Sequence, residues 1–233
     1  MEPMTRTLDT HSISTRGSAS AGALHDASTS RVLRNTYALL SMTLLFSAAV
    51  AAAAAAWALP APGMILSLVG MFGLLFAVHK LQNSGWALPV VFALTGFMGY
   101  TLGPVLAKVA SLPGGSTTIA MALAATGATF LALSSYVLTT KRDFSFMGGF
   151  LFAGMVIALL AGLGAVFLQI PALGLAVSAM VALLSAGLIL FETSRIVNGG
   201  ERNYVLATVG LYVSIFNLFT SLLSLFGMGG SDD

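Results

Sequence analysis

The sequence predicts an all-α integral membrane protein, a bundle of seven transmembrane helices, and three observations carry that prediction. The chain is 57% hydrophobic and only 8% charged, with a mean hydropathy of +0.94. A water-soluble domain of this length would expose large apolar patches at such a composition. From Tyr37 onward, apolar stretches close to the ~20 residues that a helix needs to cross hydrocarbon alternate with short breaks. The stretches are continuous and rich in Ala, Leu and Gly, where a membrane β-barrel needs short segments of alternating polarity.

The elements follow in order. Residues 1–30 are polar, dominated by Ser, Thr, Ala and Gly, and lack the apolar core of a secretory signal; they are expected to form a disordered tail. Residues 31–233 form the membrane domain. Seven spans run approximately Thr36–Leu59, Met64–Val78, Ala87–Val109, Thr117–Leu138, Phe146–Leu168, Ala172–Phe191 and Tyr204–Phe226. Turn-forming residues separate them: "PAPG" at 60–63, "LPGGS" at 112–116, "KRDF" at 141–144, "QIP" at 169–171 and "NGG" at 198–200. All connections are short, which favours one compact bundle. Gly96, Gly99 and Gly103 in the third span, and Gly148, Gly149, Gly154, Gly162 and Gly164 in the fifth, read as close-packing positions, with Pro104 a kink near the outer end of the third.

Orientation follows from the basic residues. Arg6, Arg16, Arg31 and Arg34 precede the first span, Lys80 follows the second, Lys141 and Arg142 the fourth, and Arg195 and Arg202 flank the turn after the sixth. Nine of the ten Lys and Arg therefore share one side, with Lys108 alone opposite. The positive-inside rule places the N-terminus in the cytoplasm and the C-terminal "GGSDD" outside.

Catalytic chemistry is not expected. The chain has no Walker loop, no GxSxG elbow, no metal-ligand cluster and no cysteine, so thiolate metal sites and disulfides are excluded. No resident cofactor and no nucleic acid partner are expected; the expected surroundings are the lipid bilayer. One acid stands near a span. Glu192 precedes Arg195 by three residues, and ionisable groups at membrane depth mark functional sites by default. Two readings stay open: an interfacial ion pair that ends the sixth helix, or a titratable gate facing the bundle interior. In the seventh span, Gly210, Ser214, Asn217, Ser221 and Ser224 form a small and polar stripe on one face, which must look inward because lipid would leave the Asn217 amide unsatisfied. Close packing with an interhelical hydrogen bond from Asn217 is one reading of it, and a lined pathway is the other.

Three segments, "RNTYALLSMTLLFSA" (34–48), "LTGFMGYTLGP" (94–104) and "FETSRIVNGGERNYVLATVGLYVSIFNLFTSLLSLFG" (191–227), resemble the Bax inhibitor-1 family, in its bacterial branch of modulators of the FtsH protease. The resemblance covers nearly everything after residue 30. It implies an inner-membrane bundle of six helices around a central seventh. It also implies two activities. One is that of a partner of the membrane-anchored AAA+ protease FtsH, restraining its degradation of membrane proteins and offering it a cytoplasmic tail. The other is a pH-sensitive calcium leak, closed in some members by one aspartate on the sixth span and one on the seventh and latched by a basic residue of the second. Carried over by motif, the sixth-span acid falls on Glu192 in "FETS" and the seventh-span acid on Ser214 in "LYVSIFNLF". A serine does not ionise in that range, so the coupled pair is absent, and Glu192 with Ser214 and Asn217 is left as a weak cation site at best. His79 and Lys80 in "FAVHK", together with Arg195, are the candidate latches.

Overall fold

The computed structural model describes the backbone of residues 9–229 and the side chains of residues 29–227. Its helices are α1 (Asp9–Ala56), α2 (Met64–Leu81), α3 (Ala87–Ala110), α4 (Gly115–Thr140), α5 (Gly148–Leu168), α6 (Pro171–Val197) and α7 (Tyr204–Gly229), with a 3₁₀ turn at Ser145–Met147 before α5. All seven contain a stretch long and apolar enough to cross a membrane; in α1 that stretch is Thr29–Ala56.

Backbone chemistry explains where these helices stop. Lys141 and Gln169 take left-handed conformations, φ 51° and 53°, and their N–H groups bond back to the Val137 and Ala165 carbonyls, closing the ends of α4 and α5. Pro171 opens α6, where its missing N–H costs nothing. Asn203 caps α7, its Oδ1 accepting the Val205 N–H at 2.9 Å. Two boundaries depart from expectation. Helix α1 continues back to Asp9, through residues read from composition as a disordered tail, a Ser- and Thr-rich stretch that contains no proline to break it; residues 1–8 of that tail lie outside the described residues. Helix α6 runs six residues past Phe191, since Glu192, Thr193, Ser194 and Arg195 tolerate a helix and the first breaker is the Asn198-Gly199-Gly200 turn.

Lipid removes the hydrophobic drive between helices, so packing and polar contacts must assemble the bundle. The glycines of α3 do this directly. An added Cβ at Gly103 would strike the Ala54 methyl, and one at Gly99 would strike the Ser47 backbone carbonyl, so α1 and α3 approach as closely as their backbones allow. In α5 the same reading holds in part: Gly148 faces the Phe191 ring and Gly154 faces Leu184, whereas Gly149 and Gly164 have nothing within 4 Å. Pro104 does not end α3, which continues to Ala110.

Helix α7 is the axis. Half of its apolar window is buried, against 6% for α2 and 11% for α5. It packs directly on α1, α3, α4 and α6, while α2 leans mainly on α3 and α5 on α6. Tyr212, fully buried near mid-helix, ties three helices together: its hydroxyl shares a 2.6 Å hydrogen bond with Ser47 of α1 and lies 3.3 Å from the Thr95 carbonyl of α3.

Candidate functional site

The last turn of α6 and the turn after it gather polar groups from three connections. Arg195, one-third exposed, stands between two acids that are 15% and 12% exposed: Nη1 lies 3.8 Å from Glu192 Oε2, and Nη2 lies 3.2 Å from Glu201 Oε2. Only the second contact is a hydrogen bond, so Glu201, across the turn, is the principal partner. The guanidinium also sits 5.5 Å over the Phe191 ring. Glu201 Oε1 accepts the Asn203 N–H at 2.8 Å. The Asn203 amide donates to Gln82 Oε1 at 3.1 Å and to Asn83 Oδ1 at 3.0 Å. A continuous polar chain thus runs from Glu192 to the α2–α3 turn.

The same turn holds the α4–α5 connection. Ser194 Oγ, buried, accepts the Phe144 N–H at 2.8 Å and donates to the Arg142 carbonyl at 3.2 Å. Replacing Ser194 with Ala orphans that N–H, and the expected cost is about 1–2 kcal/mol, read as faster proteolysis at residues 141–146 in detergent with little change elsewhere. Asp143 in this loop carries a carboxyl held below its usual range by hydrogen bonds from the Ser145 side chain and backbone, the latter at 2.8 Å. A folded-state pKa depressed in this way adds stability above the ordinary carboxylate range and loses it as pH falls through the folded value. Protection of the loop against hydrogen exchange is therefore expected to weaken below about pH 4 in the wild type and to be flat with pH in Asp143→Asn.

Glu192 itself lies about 7 Å inside the helix end, five residues before Val197 at 1.5 Å per residue. It does not mark the point where α6 ends. Its carboxyl group rests on the open face of Gly210 in α7, where an added Cβ would come 2.8 Å from the carboxyl carbon. Ser214, buried one turn further on, donates its hydroxyl to the Gly210 carbonyl at 2.9 Å. Glu192 and Ser214 thus meet at the same stretch of α7. Asn217 does not join them: its side chain makes no hydrogen bond among the described residues and lines a separate apolar cleft. His79 and Lys80 are not brought to Glu192 either. Both are exposed on the last turn of the peripheral α2, and neither forms an ion pair among the described residues. The one candidate latch in place is Arg195.

The sequence reading gave no place in this arrangement to Glu201, Gly210 or Tyr212. Glu201 lies six residues beyond Arg195, outside any helical spacing rule, and the Gly-Gly turn between them was its only signal. Gly210 was visible only as a small residue in a stripe. Nothing in the sequence singled out Tyr212. Among the described residues, no three His, Cys, Asp or Glu side chains converge as a metal site would require.

A seven-helix membrane bundle with a buried axial helix, clamped at one end by an acid–arginine–acid cluster, is the class that this fold and site define. The family model described as "Inhibitor of apoptosis-promoting Bax1" matches residues 29–231, and the chain belongs to that family, the Bax inhibitor-1 family. It is 53% identical over 205 residues to "Modulator of FtsH protease YccA" of Escherichia coli K12, covering 88% of this chain and 93% of that one. A relative of Escherichia coli O6:H1 named "Inner membrane protein YccA" matches to the same extent. "Uncharacterized protein PA2604" of Pseudomonas aeruginosa PAO1 is 52% identical over 204 residues, covering 88% and 92%. The chain is a multi-pass inner-membrane protein.

Proposed function

We propose that this protein is a non-enzymatic regulatory partner of the membrane protease FtsH, with its N-terminus in the cytoplasm and its C-terminus outside. The observation that carries the reading is the 53% identity, over 88% of the chain, to a protein named for modulating that protease. The charged turn supports it. Arg195 is the shared cation of Glu192 and Glu201, and the position that resemblance assigns to a second gate acid holds Ser214, tied to its own helix. Cation passage, calcium included, would meet Glu192 and Glu201 here, and both already face Arg195. The orientation is supported by the bonds that bring the α2–α3, α4–α5 and α6–α7 connections together at the end carrying Lys80, Lys141, Arg142 and Arg202.

The test is the half-life of an FtsH membrane substrate, followed with and without this chain and with residues 1–30 deleted. Overproduction should lengthen that half-life several-fold, the intact chain should co-purify with FtsH, and the truncated chain should itself be degraded more slowly. Substrate turnover indifferent to the chain at every level would refute the reading. Calcium flux into liposomes that responds to Glu192→Gln would move it to the leak class.

A further inference from the structure

Helices α2 and α5 do not close over α7, and the gap between them is a cleft of about 510 Å³ open to the side of the bundle. Met71, Phe72 and Leu75 form one wall, Phe152 and Met155 the other, and Asn217 lies at the floor. Every other lining residue is apolar. Asn217 stands thirteen residues after Tyr204 and twelve before Gly229, the middle of the span. Its amide has no hydrogen-bond partner among the described residues.

We propose that this cleft seats one face of a transmembrane helix of the protease partner, with a polar side chain from that helix meeting Asn217. The proposal rests on the function argued above and names the surface through which it acts. An unmet amide at mid-membrane selects among the possible occupants. A lipid acyl chain offers it neither donor nor acceptor at that depth. A trapped water needs two to four polar partners, and here there is one. A helix carrying Ser, Thr, Asn or Gln at its midpoint meets the amide and fills the apolar walls at once. The size agrees: the cleft accommodates several side chains from one helix face and not a helix cylinder of about 10 Å. Two of the six residues named are methionines, whose unbranched side chains adapt to a partner's shape.

The absence of cysteine permits a direct test on the full-length chain in native membranes. Single cysteines at Phe72 and Phe152, both exposed on the cleft rim, and at Leu131, exposed on α4, are labelled with a photo-crosslinker in cells producing FtsH. The rim positions should crosslink to FtsH at least about fivefold more than Leu131, and Asn217→Leu should reduce the rim yield by about fivefold, the worth of one interhelical hydrogen bond. Val156→Trp provides a second variant, since Val156 lines the cleft and is exposed, so that the larger ring fills the cleft without displacing a buried side chain; it should abolish the rim crosslink. Equal yields from all three positions, or rim yields untouched by both variants while FtsH still co-purifies, would overturn the cleft and leave the regulatory function standing. Failure of the wild-type chain to co-purify with FtsH would overturn both.

Discussion

Gly99→Ala is expected to destabilise the bundle by about 3 kcal/mol, whereas the same change at Gly127 should be neutral or mildly stabilising. The two substitutions are chemically identical and both lie inside long helices. What differs is the space. At Gly99 the new Cβ meets the Ser47 carbonyl oxygen, a backbone atom that cannot swing away, so α1 must retreat from α3. At Gly127 nothing lies within 4 Å, and alanine's better helix propensity is worth about 0.5–1 kcal/mol. The retreat carries a second penalty. Ser47 also holds the Tyr212 hydroxyl at 2.6 Å, so moving α1 uncouples the central helix from its neighbours. Thermal unfolding in detergent should place Gly99→Ala roughly 5–10 °C below wild type and Gly127→Ala at or above it. Equal midpoints would mean that α1 and α3 are not in the contact described.

The same pair shows what sequence can and cannot deliver in a membrane bundle. The spans are legible because hydrocarbon thickness fixes their length, and α2, α3 and α5 end within a few residues of expectation. That Gly99 and Gly103 form a close contact was legible from their spacing; that α1 is the helix they meet was not, because apolarity on every face carries no partner information. Charges at helix ends were harder still. Spacing along α6 correctly paired Glu192 with Arg195, yet that pair is 3.8 Å apart, and the shorter contact goes to Glu201 through a turn whose path depends on Gly199 at φ 74°. His79 and Lys80 were plausible latches only while α2 was assumed to touch the axis; its place on α3 removes them. On the α7 stripe the inward-facing rule held at Ser214 and Ser221, which are buried, and failed at Asn217, which lines a cleft open to the side of the bundle, and at Ser224, which is exposed.

Removing Arg195 is the substitution with the largest expected effect on the charged turn. In Arg195→Ala, Glu192 and Glu201 remain with little solvent and no counter-charge. Breaking a buried ion pair from one side costs about 3–5 kcal/mol, and discounting for an arginine that is one-third exposed leaves about 2–3 kcal/mol. The loss should be reversible by chemistry: Arg195→Ala combined with Glu192→Gln and Glu201→Gln removes the stranded charges and should recover most of the stability. Double-mutant cycles separate the two pairs. Coupling of Arg195 with Glu201, a charge-assisted hydrogen bond at 3.2 Å, should exceed coupling with Glu192, which at 3.8 Å is an ion pair alone. Equal couplings would put Glu192 and Glu201 on the same footing and return Glu192 to a structural salt bridge. If the coupling to Glu192 is the smaller, its carboxyl group owes its place to the space left above Gly210 more than to Arg195. Gly210→Ala, which pushes that carboxyl away, should then disturb α7 even with Arg195 intact.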